Sequence, residues 1–268
     1  MINIILPNFY YFLEINKDLV NMKKYHSEYF KTDNISFVAQ EGNFPYLYWS
    51  GNFVNKNTLL YPGLNHFLHT NDFIPFTFDC SNPLLQLKDL DDPGNNACLK
   101  LGENGSNKIL ISSYTILLEL KKKYPQYNFI GSEQYIITDP DLKGLPNLSR
   151  IKIFYKNTEL LTKIPINKTE IVLNNACENC SFKDNCLIEY WTNNYYYSNV
   201  NNLIACKHTM PITLTWDTIE SLNKKGYQYF SFNVNHIDLT DLTAIKYLYI
   251  NLFIKDEYKD KADLFLRR

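Results

Sequence analysis

The chain has 268 residues, 45% hydrophobic and 15% aromatic. A chain of this length buries about three quarters of the surface it exposes when unfolded, which excludes disorder and collagen-like order. Its 27 Lys and Arg stand against 28 Asp and Glu, a formal charge of −1 that supplies no overall attraction to nucleic acid or anionic lipid.

The opening run Ile2–Leu6 is apolar and β-branched, and so reads as a strand. It is too short for a signal-peptide core and has no basic residues before it. No stretch approaches the roughly 20 apolar residues of a membrane span, so a cytoplasmic protein without membrane contact is expected. A helix over Phe9–Tyr29 follows, with Phe9, Phe12, Leu13, Leu19 and Val20 at near-helical spacing. The second strand is Ile35–Ala39, and the aromatic, turn-rich segment from Glu41 to Asn52 reads as a loop over a rim or a planar ligand. Next come a helix over Asn57–Thr70, a strand over Phe73–Phe78 and a helix over Pro83–Leu101. The strand Lys108–Ser112 then precedes a helix over Ser113–Lys123 that stops before Pro125. Strands are predicted at Asn128–Ser132, Arg150–Phe154 and Thr169–Leu173. Thr215 is placed to cap a helix that Gly226 closes, and Tyr227–Phe232 is the eighth strand.

Eight apolar runs separated by helical segments predict an α/β fold, a single (β/α)8 TIM-type barrel over residues 1–268. Parallel strands covered by helices read as continuous apolar runs. A doubly wound open sheet is the competing arrangement. It lacks support because no Gly-x-Gly-x-x-Gly follows the first strand and no phosphate-loop motif occurs.

The chemistry-bearing feature is Cys177, Cys180, Cys186 and Cys206, spaced Cys-x2-Cys-x5-Cys-x19-Cys within a loop at 174–210. It begins just past the seventh strand, at the C-terminal face where barrels hold their active sites. Clustered thiols in a reducing compartment point to metal binding. Four thiolates suit tetrahedral zinc or a four-iron cubane, and the spacing leaves the two near even. His208 could replace one thiolate. Cys80 and Cys98 lie outside this set and read as small core residues, although Cys80 follows immediately after the third strand, where a barrel would present it at the mouth. Asp79, Ser81 and Asn82 share that strand end, and Asn174 ends the seventh. With Ser112, Ser113, Ser132, Glu133 and Asn175 they predict a hydrogen-bonding, uncharged mouth suited to a polar organic ligand. Helix capping is the plainer use of each. His66 and His69 share a helix face, but no third ligand follows at a useful spacing. Gly-x-Ser-x-Gly is absent, and no histidine sits in a hydrolase context.

The segment Glu170–Cys177, the later cysteines, and the closing Pro211, Thr215, Leu222 and Gly226-Tyr227-Gln228-Tyr229-Phe230 together resemble the U32 peptidase-like barrel proteins over roughly the second half of the chain. The resemblance implies a [4Fe-4S] cluster on Cys177, Cys180, Cys186 and Cys206. It also implies oxygen-independent redox or hydroxylation chemistry on a small polar or nucleobase substrate. Asp79, Ser81, Asn82 and Asn174 would then be the residues orienting that substrate, and an electron-donor protein or a partner subunit is an expected partner. The alternative is a non-catalytic barrel in which a structural zinc site holds a partner-binding surface.

Overall fold

The computed structural model describes residues 1–42, 44, 64–82, 85–173, 215–232 and 242–266. Eight parallel strands close into a barrel in sequence order, each paired with its two neighbours and the eighth with the first. They are β1 (Ile2–Leu6), β2 (Ile35–Gly42), β3 (Phe76–Cys80), β4 (Lys108–Ile111), β5 (Asn128–Gly131), β6 (Leu148–Phe154), β7 (Thr169–Val172) and β8 (Tyr229–Ser231). Closure removes the open-sheet alternative, since no strand is left with a free edge.

The described helices are α1 (Leu13–Tyr25), α2 (Leu64–Thr70), α3 (Pro93–Leu101), α4 (Tyr114–Lys123), α5 (Glu133–Thr138), α6 (Thr158–Lys163), α7 (Trp216–Lys224), α8 (Leu242–Phe253) and α9 (Lys259–Phe265). Local chemistry sets their ends. The predicted helix over Pro83–Leu101 is corrected to a short 3-10 turn at Leu87–Asp91 followed by α3. Pro93 lacks the N–H that a helix interior would use and so takes the first helical turn, while the Asp92 side chain accepts from Asn95 N at 2.7 Å as the cap. Thr215 stands at the start of α7, but its hydroxyl meets Thr218 Oγ1 at 3.1 Å and makes no backbone cap bond. Gly226, at φ +103°, makes the left-handed exit toward β8.

Apolar packing falls in two clusters between sheet and helices. One joins Ile4, Leu6, Phe12, Leu19, Ile171, Ile219, Phe230, Tyr249 and Phe253. The other joins Phe9, Phe76, Phe78, Ile109, Leu117, Leu120, Phe129, Ile151 and Ile153. α8 is locked across the first by a buried chain of hydrogen bonds. The Tyr249 hydroxyl donates to Asn16 Oδ1 at 2.6 Å, and Asn16 Nδ2 donates to Pro7 O at 3.1 Å. The last helical region is thereby tied to the end of β1.

Removing that hydroxyl strands a buried acceptor, so Tyr249→Phe is expected to cost about 1–3 kcal/mol. Urea unfolding monitored by circular dichroism would show the lower midpoint with an unchanged native spectrum.

Candidate active site

The interior of the barrel differs from the two outer clusters. Ile5, Ala39, Leu110 and Ile130 are buried hydrophobics that belong to neither cluster. The remaining inward positions are largely polar. Inward side chains of a (β/α)8 barrel stack in layers, each drawn from alternate strands. The pairings place Ala39, Lys108, Arg150 and Tyr229 in one layer and Ile5, Thr77, Ile130 and Glu170 in the next. Above these, toward the C-terminal face, lie Glu41, Leu110, Lys152 and Ser231, with Asp79 and Ser132 at the mouth.

Two register irregularities aim the charges inward. In β2, Ile4 pairs with Phe37 but Ile5 pairs with Ala39. The extra residue moves Ala39 and Glu41 to the barrel side, whereas strict alternation from the outward Phe37 would send both outward. In β6, Phe129 pairs with Leu148 but Ile130 pairs with Arg150, and the bulged Ser149 donates its hydroxyl to Phe129 O at 2.8 Å. Arg150 and Lys152 therefore face the axis while Leu148, Ile151 and Ile153 join the outer apolar layer. Gly42 fixes the end of β2. Its φ is +145°, and a Cβ there would stand 3.2 Å from both Asn8 Cα and Phe9 N. Phe9 N in turn donates to Glu41 O at 3.0 Å.

The charged groups meet along the axis. Lys152 Nζ on β6 bonds both oxygens of Glu41, at 2.5 and 2.7 Å, across the barrel from β2. It lies 3.8 Å from Glu170 Oε1, beyond hydrogen-bond reach. Glu170 Oε2 accepts from Arg150 Nε at 3.1 Å, and the Arg150 guanidinium sits 4.0 Å from the centre of the Tyr229 ring. From base to mouth, the ring and guanidinium share one layer, the Glu170 carboxylate lies in the next, and the Lys152 ammonium and Glu41 carboxylate share the layer above it.

Burial raises the Glu41 carboxyl above the usual carboxylate range, with Lys152 pulling it back. Burial likewise raises Asp79, opposed by hydrogen bonds to its Oδ1 from Ser81 N at 2.9 Å and Ser81 Oγ at 2.5 Å. Burial lowers the proton affinity of Lys152, but Glu41, Glu170 and Asp79 together outweigh it and hold the ammonium protonated. The arrangement sets an ammonium beside two carboxyls whose affinity for a proton burial raises, a pairing that general acid–base chemistry can use.

The predicted site residues separate on this geometry. Asp79 faces the axis and senses the charge of Lys152. Ser81 turns back onto Asp79. Asn82 is buried, and its carbonyl accepts from Ser112 Oγ at 3.3 Å and Leu85 N at 3.1 Å, tying the β3 and β4 ends together. Ser132 is buried at the mouth with its hydroxyl unbonded. Glu133 accepts from Phe154 N at 2.8 Å, a structural tie at the end of β6. The expected uncharged mouth is corrected: Glu41, Asp79 and Lys152 make it ionic. Cys80 faces outward with Cys98 in the apolar layer, and burial pushes both thiols up, so both behave as core residues. His66 and His69 are exposed on α2. Among the described residues, no three metal-ligating side chains come together and no helix is long and apolar enough to cross a membrane.

Asn174, Cys177, Cys180, Cys186, Cys206 and His208 lie outside the described residues. The described chain on either side of them is Leu173, buried just past β7 and bonded from its N–H to Ser231 O at 2.8 Å, and Thr215 at the start of α7.

Lys152→Met is expected to destabilise the protein by about 3–5 kcal/mol at neutral pH, because it leaves buried carboxylates without their cation. The pKa values of Glu41 and Asp79, which Lys152 holds down, then rise further, the folded state binds more protons than the unfolded chain, and stability recovers as pH falls toward 5. Chemical denaturation of wild type and variant across this range measures the difference in slope. No family model, curated protein or solved structure matches the chain.

Proposed function

We propose that the protein is an enzyme acting on a small polar organic or nucleobase substrate at the C-terminal mouth of the barrel, with proton transfer handled by Lys152, Glu41 and Asp79. The observation that carries this reading is the Lys152–Glu41 pair on the barrel axis. A layer that barrels fill with Val, Ile or Leu holds opposite charges here, and such pairs add little to stability relative to apolar packing. An ammonium has three N–H donors, and both of the Lys152 hydrogen bonds go to the one Glu41 carboxylate. Glu170 Oε1 stands too far off, at 3.8 Å, to take another, so donor capacity remains for an oxygen that gains negative charge during reaction. Glu41 and Asp79, both raised by burial, suit proton acceptance from the same substrate.

The cysteine loop adds the redox part of the proposal. Its donor set, four cysteines between Leu173 and Thr215, has the number and softness that a four-thiolate centre needs. Cys177, Cys180, Cys186 and Cys206 would hold a [4Fe-4S] cluster, which supplies or accepts single electrons. An electron-donor protein or partner subunit is implied. Asp79, Ser81, Asn82 and Asn174 would orient the substrate beside it.

Protein purified without oxygen is expected to carry about four irons and four sulfides per chain. One zinc and no iron would establish the structural-site alternative, and neither metal would defeat both. In a panel of nucleobases and polar organic acids, turnover should fall about 10²- to 10⁴-fold in Lys152→Met. It should also fall in Asn82→Ala and Asn174→Ala, with metal content retained throughout. Unchanged turnover in these variants would remove the substituted residues from the mechanism.

A further inference from the structure

Below the Lys152 layer the balance of charge reverses. Lys108 and Arg150 face the axis from β4 and β6 in one layer, and the carboxylate above them, Glu170, is already bonded to Arg150 Nε at 3.1 Å. The other oxygen of Glu170 faces Lys152 at 3.8 Å. Arg150 Nη2 is buried without a hydrogen-bond partner, on a side chain only 7% exposed. Thr77, the cross-strand partner of Lys108, is fully buried, and its hydroxyl is also unbonded. Lys108 makes no ion pair among the described residues. Burial lowers its pKa and the charge of Arg150 lowers it further, against Glu170. Ala39, with a small side chain, completes the layer from β2, opposite Arg150.

Two cations in one layer thus face a single carboxylate that also lies near Lys152, and two buried donors beside them, Arg150 Nη2 and Thr77 Oγ1, are left without a partner. A water molecule would complete the hydrogen bonds and leave the excess positive charge in place. An anion answers both. We propose that the N-terminal half of the barrel binds a small monovalent anion of halide size between Arg150 Nη2, Lys108 Nζ and Thr77 Oγ1. The site stands apart from the mouth and does not depend on the chemistry there.

Bromide is the probe, because it scatters anomalously and fits a halide site. Crystals of the full chain grown in sodium bromide should show an anomalous peak inside the barrel between Arg150 and Lys108. In solution, replacing gluconate with bromide at constant ionic strength should raise Tm by about 2–4 °C. The rise should vanish in Lys108→Met and shrink in Thr77→Val, which keeps the side-chain shape. An internal site without anomalous signal would be water and would overturn the proposal. A Tm indifferent to bromide, or one raised equally in wild type and both variants, would overturn it as well.

Discussion

The ion pair between Lys152 and Glu41 spans the barrel, and the rest of the interior is arranged around the need to keep it and its neighbours neutralised. An isolated charge in such a place costs several kcal/mol, and only close opposite charges with hydrogen bonds offset it. That requirement explains the alternation of sign along the axis. Arg150 holds Glu170, Glu170 lies under Lys152, and Lys152 holds Glu41. Tyr229 closes the base of this ladder by offering a ring face to the guanidinium, a contact that needs no further buried carboxylate. Neither register shift is incidental. Without the bulge in β2, Glu41 would point into the apolar outer layer, and without the bulge in β6, Arg150 and Lys152 would do so.

Most of the fold was legible in the sequence because parallel strands of a covered barrel carry apolar residues on the helix-facing side at every second position, and turn residues punctuate them. All eight predicted strands occur, and β1 agrees at both ends. The third shows what shifted the others. Phe73 and Ile74 belong to the same apolar run as Phe76, but Pro75 lies between and has no N–H to donate, so pairing begins after it. The split before α3 had a visible signal in Asp92-Pro93, a cap followed by a first-turn proline.

The site was less legible, for a reason specific to its residues. Glu41 reads as the first residue of a loop when β2 is ended at Ala39, and only the bulge reveals it as an inward strand position. Arg150 and Lys152 alternate with Ile151 and Ile153, and Glu170 sits between Thr169 and Ile171. In a strand buried on both faces such alternation is out of place, and this signal could have marked a polar interior. Asp79 was found because it lies at a strand end, where barrel sites are sought. Cys80, one residue on, shows the limit of that rule. Being near the mouth says nothing of direction, and the period of two sends its thiol to the helix side with Phe76 and Phe78.

The charge state of the ladder bears on what the mouth can accept. Lys152 is held protonated by three carboxyls, so it does not act as a free amine nucleophile while they stay ionised. In the proposed reaction it serves as a hydrogen-bond donor, and a substrate oxygen can approach an N–H that does not point at Glu41 without displacing that carboxylate. As negative charge builds on that oxygen, the ammonium is drawn toward it and away from Glu41. Glu41 then loses part of the stabilisation that opposes its burial, and its affinity for a proton rises in the same step. In the proposed reaction, hydrogen-bond donation at one atom of the substrate and proton acceptance at another would thus be coupled through a single ion pair. The carboxylate that neutralises the lysine at rest would become the stronger base as the lysine is engaged.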